Sequence, residues 1–169
     1  MTIVKLDGEI KLAKYCQWDG YPKGQGAKVA EFIQSKMNVR KFNKAIRSLE
    51  IKTPEEIEDM WVECGAERGS DVASFDVSDK VKEKYPAFQR DMGGEILEEI
   101  QEGRVTAISE PDVSFLEDSL FCEWAYEIDM DKKKLTVHHG WKERKHDVIP
   151  FKDIKAGFQK VIDDYENLD

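Results

Sequence analysis

The chain has 169 residues and a formal net charge of −9, with 40% apolar and 36% charged residues, a length that suits one domain with its own core. No apolar run nears the roughly 18 residues that a membrane span needs, and the opening MTIVKLDGEIK lacks the basic start and apolar stretch of a secretory signal. The acidic balance disfavours direct nucleic-acid binding, which needs clustered Lys and Arg against phosphate.

The first element reads as a hairpin, TIVKL and EIKLAKYCQ joined by Asp7-Gly8, a turn pair that tolerates positive φ at both positions. Pairing Leu6 with Glu9 is expected to put Ile3, Ile10 and Leu12 on one face, with Val4, Leu6, Ala13 and Tyr15 on the other. A Gly-rich stretch, QWDGYPKGQG, follows at 17–26. Two amphipathic helices come next, with stripes Val29, Phe32, Ile33, Met37 and Val39, Phe42, Ile46, Leu49. TPEEIEDMWVECG carries its own start signal, with Thr53 and Glu56 as a capping box and Pro54 in the first turn; Gly65 marks its stop.

The stretch 66–79 reads as loop with a short strand at 72–77, and a helix is expected from Ser78 to about Phe88, limited by Pro86. Residues 94–103 predict a helix between glycines, and 104–109 a short strand. LFCEWAYEIDM is the clearest strand, with Cys122, Trp124, Tyr126, Ile128 and Met130 alternating with mostly polar residues. It turns through Asp131-Lys132-Lys133 into KLTVHHG. Phe151, Ile154, Phe158, Val161 and Tyr165 predict a closing amphipathic helix. Together these imply one α+β domain over 1–169, an antiparallel sheet of at least four strands backed by helices.

Charge is segregated along the chain. Eight acidic residues between Glu95 and Asp118 face Arg104 alone, whereas 132–146 holds six Lys or Arg and all three histidines. His139, Lys142 and Arg144 are therefore candidates for an anion site. Adjacent residues on a strand point to opposite faces, so His138 and His139 do not readily share a metal ion, and no metal or cofactor is expected. Cys16, Cys64 and Cys122 lie far apart outside any CxxC spacing, as reduced core thiols of a cytoplasmic protein do.

The stretch 17–26 is the main candidate ligand- or partner-binding surface. Trp18 and Tyr21 offer large walls, with Gln17, Asp19, Lys23 and Gln25 as polar readers. Gly24 and Gly26 are expected to present backbone N–H groups to an anion. The alternative is a turn whose aromatics pin it to the core and whose glycines serve backbone geometry.

IKLAKYCQWDGYPKGQG resembles the N-terminal signature of a family of uncharacterised phage and bacterial proteins with a hairpin leading into a QWDGYPxGQG loop and a helix. FCEWAYEIDMDKKKLTV is similar to the C-terminal hairpin of the same family. The resemblance covers about a third of the chain and implies a phage or prophage accessory protein, a setting rich in inhibitors and counter-defence factors. It implies a host-cell cytoplasmic location and, as target, a host protein or a small nucleotide-like signal; homo-oligomerisation stays open. A second resemblance, of MTIVKLDGEIKLAKYCQWDG to the start of proteasome-type N-terminal-nucleophile hydrolases, implies a small hydrolase with Thr2 or a loop residue as nucleophile. A structural or regulatory interaction module is the third alternative.

Overall fold

The computed structural model of the protein describes residues 1–70, 72–118, 122–139 and 145–167. Asp7 and Gly8 take φ of 58° and 75°, as the tight turn demands, and close a hairpin of β1 (Thr2–Leu6) and β2 (Glu9–Lys14). Leu6 faces Glu9 and Lys5 faces Ile10, but Val4 faces Leu12, so Lys11 is an extra residue in the ladder. This bulge inverts the alternation beyond it and corrects the expected faces. Leu12 joins Val4 and Leu6 in the main core, while Ile10 stays exposed. Tyr15 likewise turns to the Ile3 side, where it meets Phe115 edge-on at 4.9 Å.

The next helix centres on α1 (Ala27–Glu31), preceded by a kinked turn at Pro22–Gly26, where Gly24 leaves helical geometry at φ −91° and ψ −106°, and followed by a wider π turn at Phe32–Lys36. Helix α2 (Val39–Arg47) is capped by Asn38, whose side chain accepts from the Lys41 N–H. Strand β3 (Glu50–Lys52) leads into α3 (Pro54–Glu63), and both halves of the Thr53–Glu56 capping box form. Gly65 ends that segment at φ 104°.

Helix α4 (Phe75–Lys84) starts earlier than expected and replaces the strand predicted at 72–77. Ser74 caps it by accepting from the Val77 N–H at 3.4 Å, and this leaves Ser78 inside the first turn. Pro86 ends the helical run and opens a 3₁₀ turn, Pro86–Phe88. Helix α5 (Ile96–Gln101) precedes β4 (Ala107–Ser109), which pairs in parallel with β3 as a small second sheet.

Strands β5 (Trp124–Asp129), β6 (Lys134–His139) and β7 (Lys145–Pro150) complete the main sheet, in the order β2-β1-β5-β6-β7. The α+β class holds, and both predicted hairpins lie in one sheet. The sheet is mixed, because β1 runs parallel to β5 while the other neighbours are antiparallel. Strand β7 begins at the end of the basic stretch, over residues to which the sequence pattern assigned no element. One face carries Tyr126, Ile128, Leu135 and Val137 into a core shared with Val29, Phe32, Phe42 and Ile100. The closing helix α6 (Ile154–Glu166) adds Ile154, Phe158 and Val161 to it.

The opposite face is only partly covered. Met1, Ile3, Cys122 and Ala125 pack with Phe115 and Leu116 of a 3₁₀ turn. Beyond them Glu127 lies 3.1 Å from the His138 ring and 3.7 Å from Lys5. Contact with His138 holds the Glu127 carboxyl below its ordinary pKa. Helices α3 and α4 enclose a small separate core of Cys64, Val77 and Val81. Among the described residues no helix is long and apolar enough to cross a membrane.

The bulge has a measurable consequence. Leu12→Ala is expected to cost about 2–5 kcal/mol, as core truncations do, and Ile10→Ala less than about 1 kcal/mol, as surface changes do. Urea unfolding of both variants checks this; equal costs would restore the unbulged register.

Candidate functional site

The 17–26 segment divides into a supporting part and a presenting part. Its support begins with Tyr126, fully buried on β5, whose hydroxyl donates to the Gly20 carbonyl at 2.9 Å. Burial pushes the Tyr126 hydroxyl's pKa well up, so it stays a neutral donor. A Cβ at Gly26 would lie 2.6–2.7 Å from that hydroxyl and ring, so glycine is required by close approach. At Gly24 a Cβ would run into the Asp19 carbonyl.

The backbone donors expected to meet an anion are used within the turn. Gly24 N–H donates to the Tyr21 carbonyl at 3.0 Å, Gln25 N–H to Asp19 at 2.7 Å, and Gly26 N–H to Tyr21 at 3.4 Å. Asp19 sits at φ 57°, a conformation that Asp tolerates better than most residues, and accepts from the Tyr21 hydroxyl at 3.2 Å.

Other members brace the surroundings. Gln25 is buried and its Oε1 accepts from the Gly94 N–H at 2.8 Å. Tyr21 stacks near-parallel on Tyr165 of α6, centroids 6.4 Å apart, and Lys23 pairs with Glu166 of the same helix. Gln17 and Trp18 do something different. Trp18 is 62% exposed, and both residues line a cleft of about 680 Å³ between the loop and the α3–α4 arm, a size in the usual range for ligand sites.

The arm contributes Ile57 and Trp61 from α3 and Phe75 from the start of α4. Phe75 is 92% exposed and the neighbouring Val72 81%. The third wall is the strip Gln89–Asp91, also lining the cleft. Its three carbonyls are fastened to the end of β2 and the start of the loop. Lys14 Nζ donates to Gln89 at 2.6 Å, Gln17 N–H to Arg90 at 3.0 Å, and the Cys16 thiol to Asp91 at 3.3 Å. Cleft wall and loop are thus one stitched unit.

Sequence reasoning found Gln17 and Trp18 but not Trp61, Phe75 or Gln89. Phe75, in the otherwise polar and small run SDVASFDVSD, carried a legible signal: a large aromatic directly after a Ser cap has no core stripe to join.

The second candidate group is dispersed. His139 stacks on Trp124, centroids 5.1 Å apart, and its Nε2 lies 2.9 Å from an Asp147 carboxylate oxygen, beside a smaller hollow of about 310 Å³. Lys142 and Arg144 lie outside the described residues. His138 occupies the opposite sheet face, against Glu127. Among the described residues no three of His, Cys, Asp and Glu gather as metal ligands. Thr2 is 1% exposed inside β1, paired with Lys14 on one side and Tyr126 on the other, so its hydroxyl is not open to a substrate. Comparison with known protein families, with curated proteins and with solved structures returns no match.

Two predictions follow from this arrangement. Trp18→Ala is expected to change stability by less than about 1 kcal/mol, whereas Gly26→Ala should cost about 1–3 kcal/mol through overpacking on Tyr126. Thermal melts of the two variants separate them, and a larger loss in Trp18→Ala would make the indole a core anchor. Burial also pulls the Lys14 ammonium down to about 8. An unfolded Lys titrates near 10.4, so between these values the unfolded chain binds more protons and stability rises with pH. The stability of the native protein relative to Lys14→Met should therefore increase by about 2 kcal/mol from pH 7 to pH 10. A difference that stays constant across those two pH values would show Lys14 charged in the fold.

Proposed function

We propose that this chain is a non-catalytic binding protein of the phage accessory kind, which counteracts a host defence by docking on a host protein through the cleft between the loop and the α3–α4 arm. One observation carries the reading: Trp18, Val72 and Phe75, the three most exposed large apolar side chains among the described residues, stand at or beside one cleft. Large exposed apolar groups grouped in this way favour a protein partner, whose binding energy concentrates on a few aromatic anchors. The resemblance of the loop to phage and bacterial proteins supplies the setting, a host-cell cytoplasm.

A second reading, capture of a small nucleotide-like signal, draws on Lys82 and Arg90, which line the cleft without an ion-pair partner among the described residues. The hydrolase reading has less support, given the burial of Thr2.

The test uses a bacterial host that carries a phage-defence system, scored for plaque formation with and without the protein. Plaque number should rise with the native protein and fall back with Trp18→Ala and with Phe75→Ser, both at native melting temperature. Full activity in both variants would move the working surface away from the cleft.

A further inference from the structure

The charges that line the cleft cancel. Glu67, Asp79 and Asp91 stand against Lys82 and Arg90 on the walls and against Lys14, whose ammonium lies beside Asp91. Glu58 is held by Arg68 at 3.0 Å and by the Gly69 N–H at 2.7 Å. A balanced site gives an ionic ligand no Coulombic advantage, so its selectivity comes from its walls. Those walls are largely apolar: Trp18 on the loop, Ile57, Trp61 and Val62 on α3, and Phe75 at the start of α4.

Helix α3 has a packing face to spare. None of its residues is buried, although its apolar stripe turns Ile57 and Trp61 into the cleft. Amphipathic helices owe most of their stability to burying such a stripe, and here the space opposite is a hollow of about 680 Å³. The backbone of the facing wall is already committed. The carbonyls of Gln89, Arg90 and Asp91 accept from Lys14, Gln17 and Cys16, and the Trp18 carbonyl lies 3.3 Å from the same thiol. An extended segment entering the cleft would meet no free row of carbonyls among the described residues. Its own buried N–H and C=O groups would then go unpaired, at a cost. A helix satisfies those groups internally. We infer that the cleft receives one amphipathic helix of the partner protein, packed against α3, with its apolar face between Trp18 and Phe75. This rests on the docking reading above and names the form of segment which that docking recognises.

The probe is the capped peptide acetyl-Ala-Lys-Leu-Ala-Glu-Leu-Leu-Lys-Ala-Leu-Ala-Glu-amide, which carries no net charge and aligns its leucines on one helical face. It is titrated into the full chain with tryptophan fluorescence and calorimetry as readouts. One counterpart has proline for the alanine after the second lysine, which breaks the helix. A second has the same composition reordered so that no apolar stripe forms, and adenosine monophosphate is the anionic control. The striped peptide should bind at least tenfold more tightly than either counterpart, with no loss of affinity at high salt. Trp18→Ala and Phe75→Ser, both at native melting temperature, should each weaken it severalfold.

Equal binding of the striped and proline peptides, a steep loss of affinity at high salt, or tighter binding of the nucleotide would each overturn the inference. So would full binding in both variants, or no binding of the striped peptide at millimolar concentration. The docking reading has a separate fate. If Phe75→Ser abolishes the plaque effect while the striped peptide fails to bind, docking stands and helix recognition falls.

Discussion

Strand β1 is hydrogen-bonded along both edges, antiparallel to β2 and parallel to β5, and the rest of the molecule depends on that double pairing. A parallel neighbour cannot be reached by a tight turn, so the chain must leave the sheet and return. Here the return takes more than a hundred residues and includes five of the six α-helices among the described residues and the small second sheet. Everything between the hairpins is in effect one long crossover. Its helices α1, α2 and α5 bury their apolar stripes on the sheet face that β1 and β5 jointly present, and neither hairpin alone offers enough surface for that. Such pairing is paid for late in folding, since the loop entropy must be lost before the contact rewards it.

From β5 the constraint passes to the loop through Tyr126. A tyrosine on a buried central strand needs a partner for its hydroxyl, and Gly20 supplies the carbonyl. The ring then fills the space where a side chain at 26 would sit. The loop's glycines serve this contact and the turn around Asp19. The anion-cradling role that their spacing brought to mind finds its N–H groups already used. Freed from anchoring, Trp18 is presented outward, and the strip 89–91 is fixed beside it by three donors from residues 14–17. The loop is therefore both a structural turn and a surface, divided residue by residue.

Local signals were legible because their physics is local. Asp7-Gly8 needs only its own backbone, the Thr53–Glu56 box only one helical turn, and the 122–130 alternation only the pleat. What could not be read depends on partners far along the chain. Lys11 becomes a bulge only because Val4 must face Leu12 while Leu6 faces Glu9. Strand β7, rich in charge, exists because β6 leaves an edge to be paired. The parallel sense of β1 and β5 has no signature in either segment. At the candidate cleft, Trp18 was visible as an odd residue in an odd loop. Trp61 looked like part of an ordinary helical stripe, and Gln89 looked like nothing in particular, since its place on the cleft wall exists only in three dimensions.

The extra residue at Lys11 has a further effect, on how the sheet meets other copies of itself. Strand β2 is one outer edge of the main sheet, and a straight, apolar edge is a template for adding foreign strands. A bulge twists such an edge and interrupts its regular row of donors and acceptors. Beside it Glu9 and Lys11 pair with one another, so the edge carries charge where an invading strand would have to lie flat. A variant with Lys11 deleted would straighten the ladder and remove that charge together. Leu12 would still face Val4 and stay in the core, so the change falls on the border alone; the residue that looks like a fault in the hairpin makes that border a poor template for a second molecule's sheet.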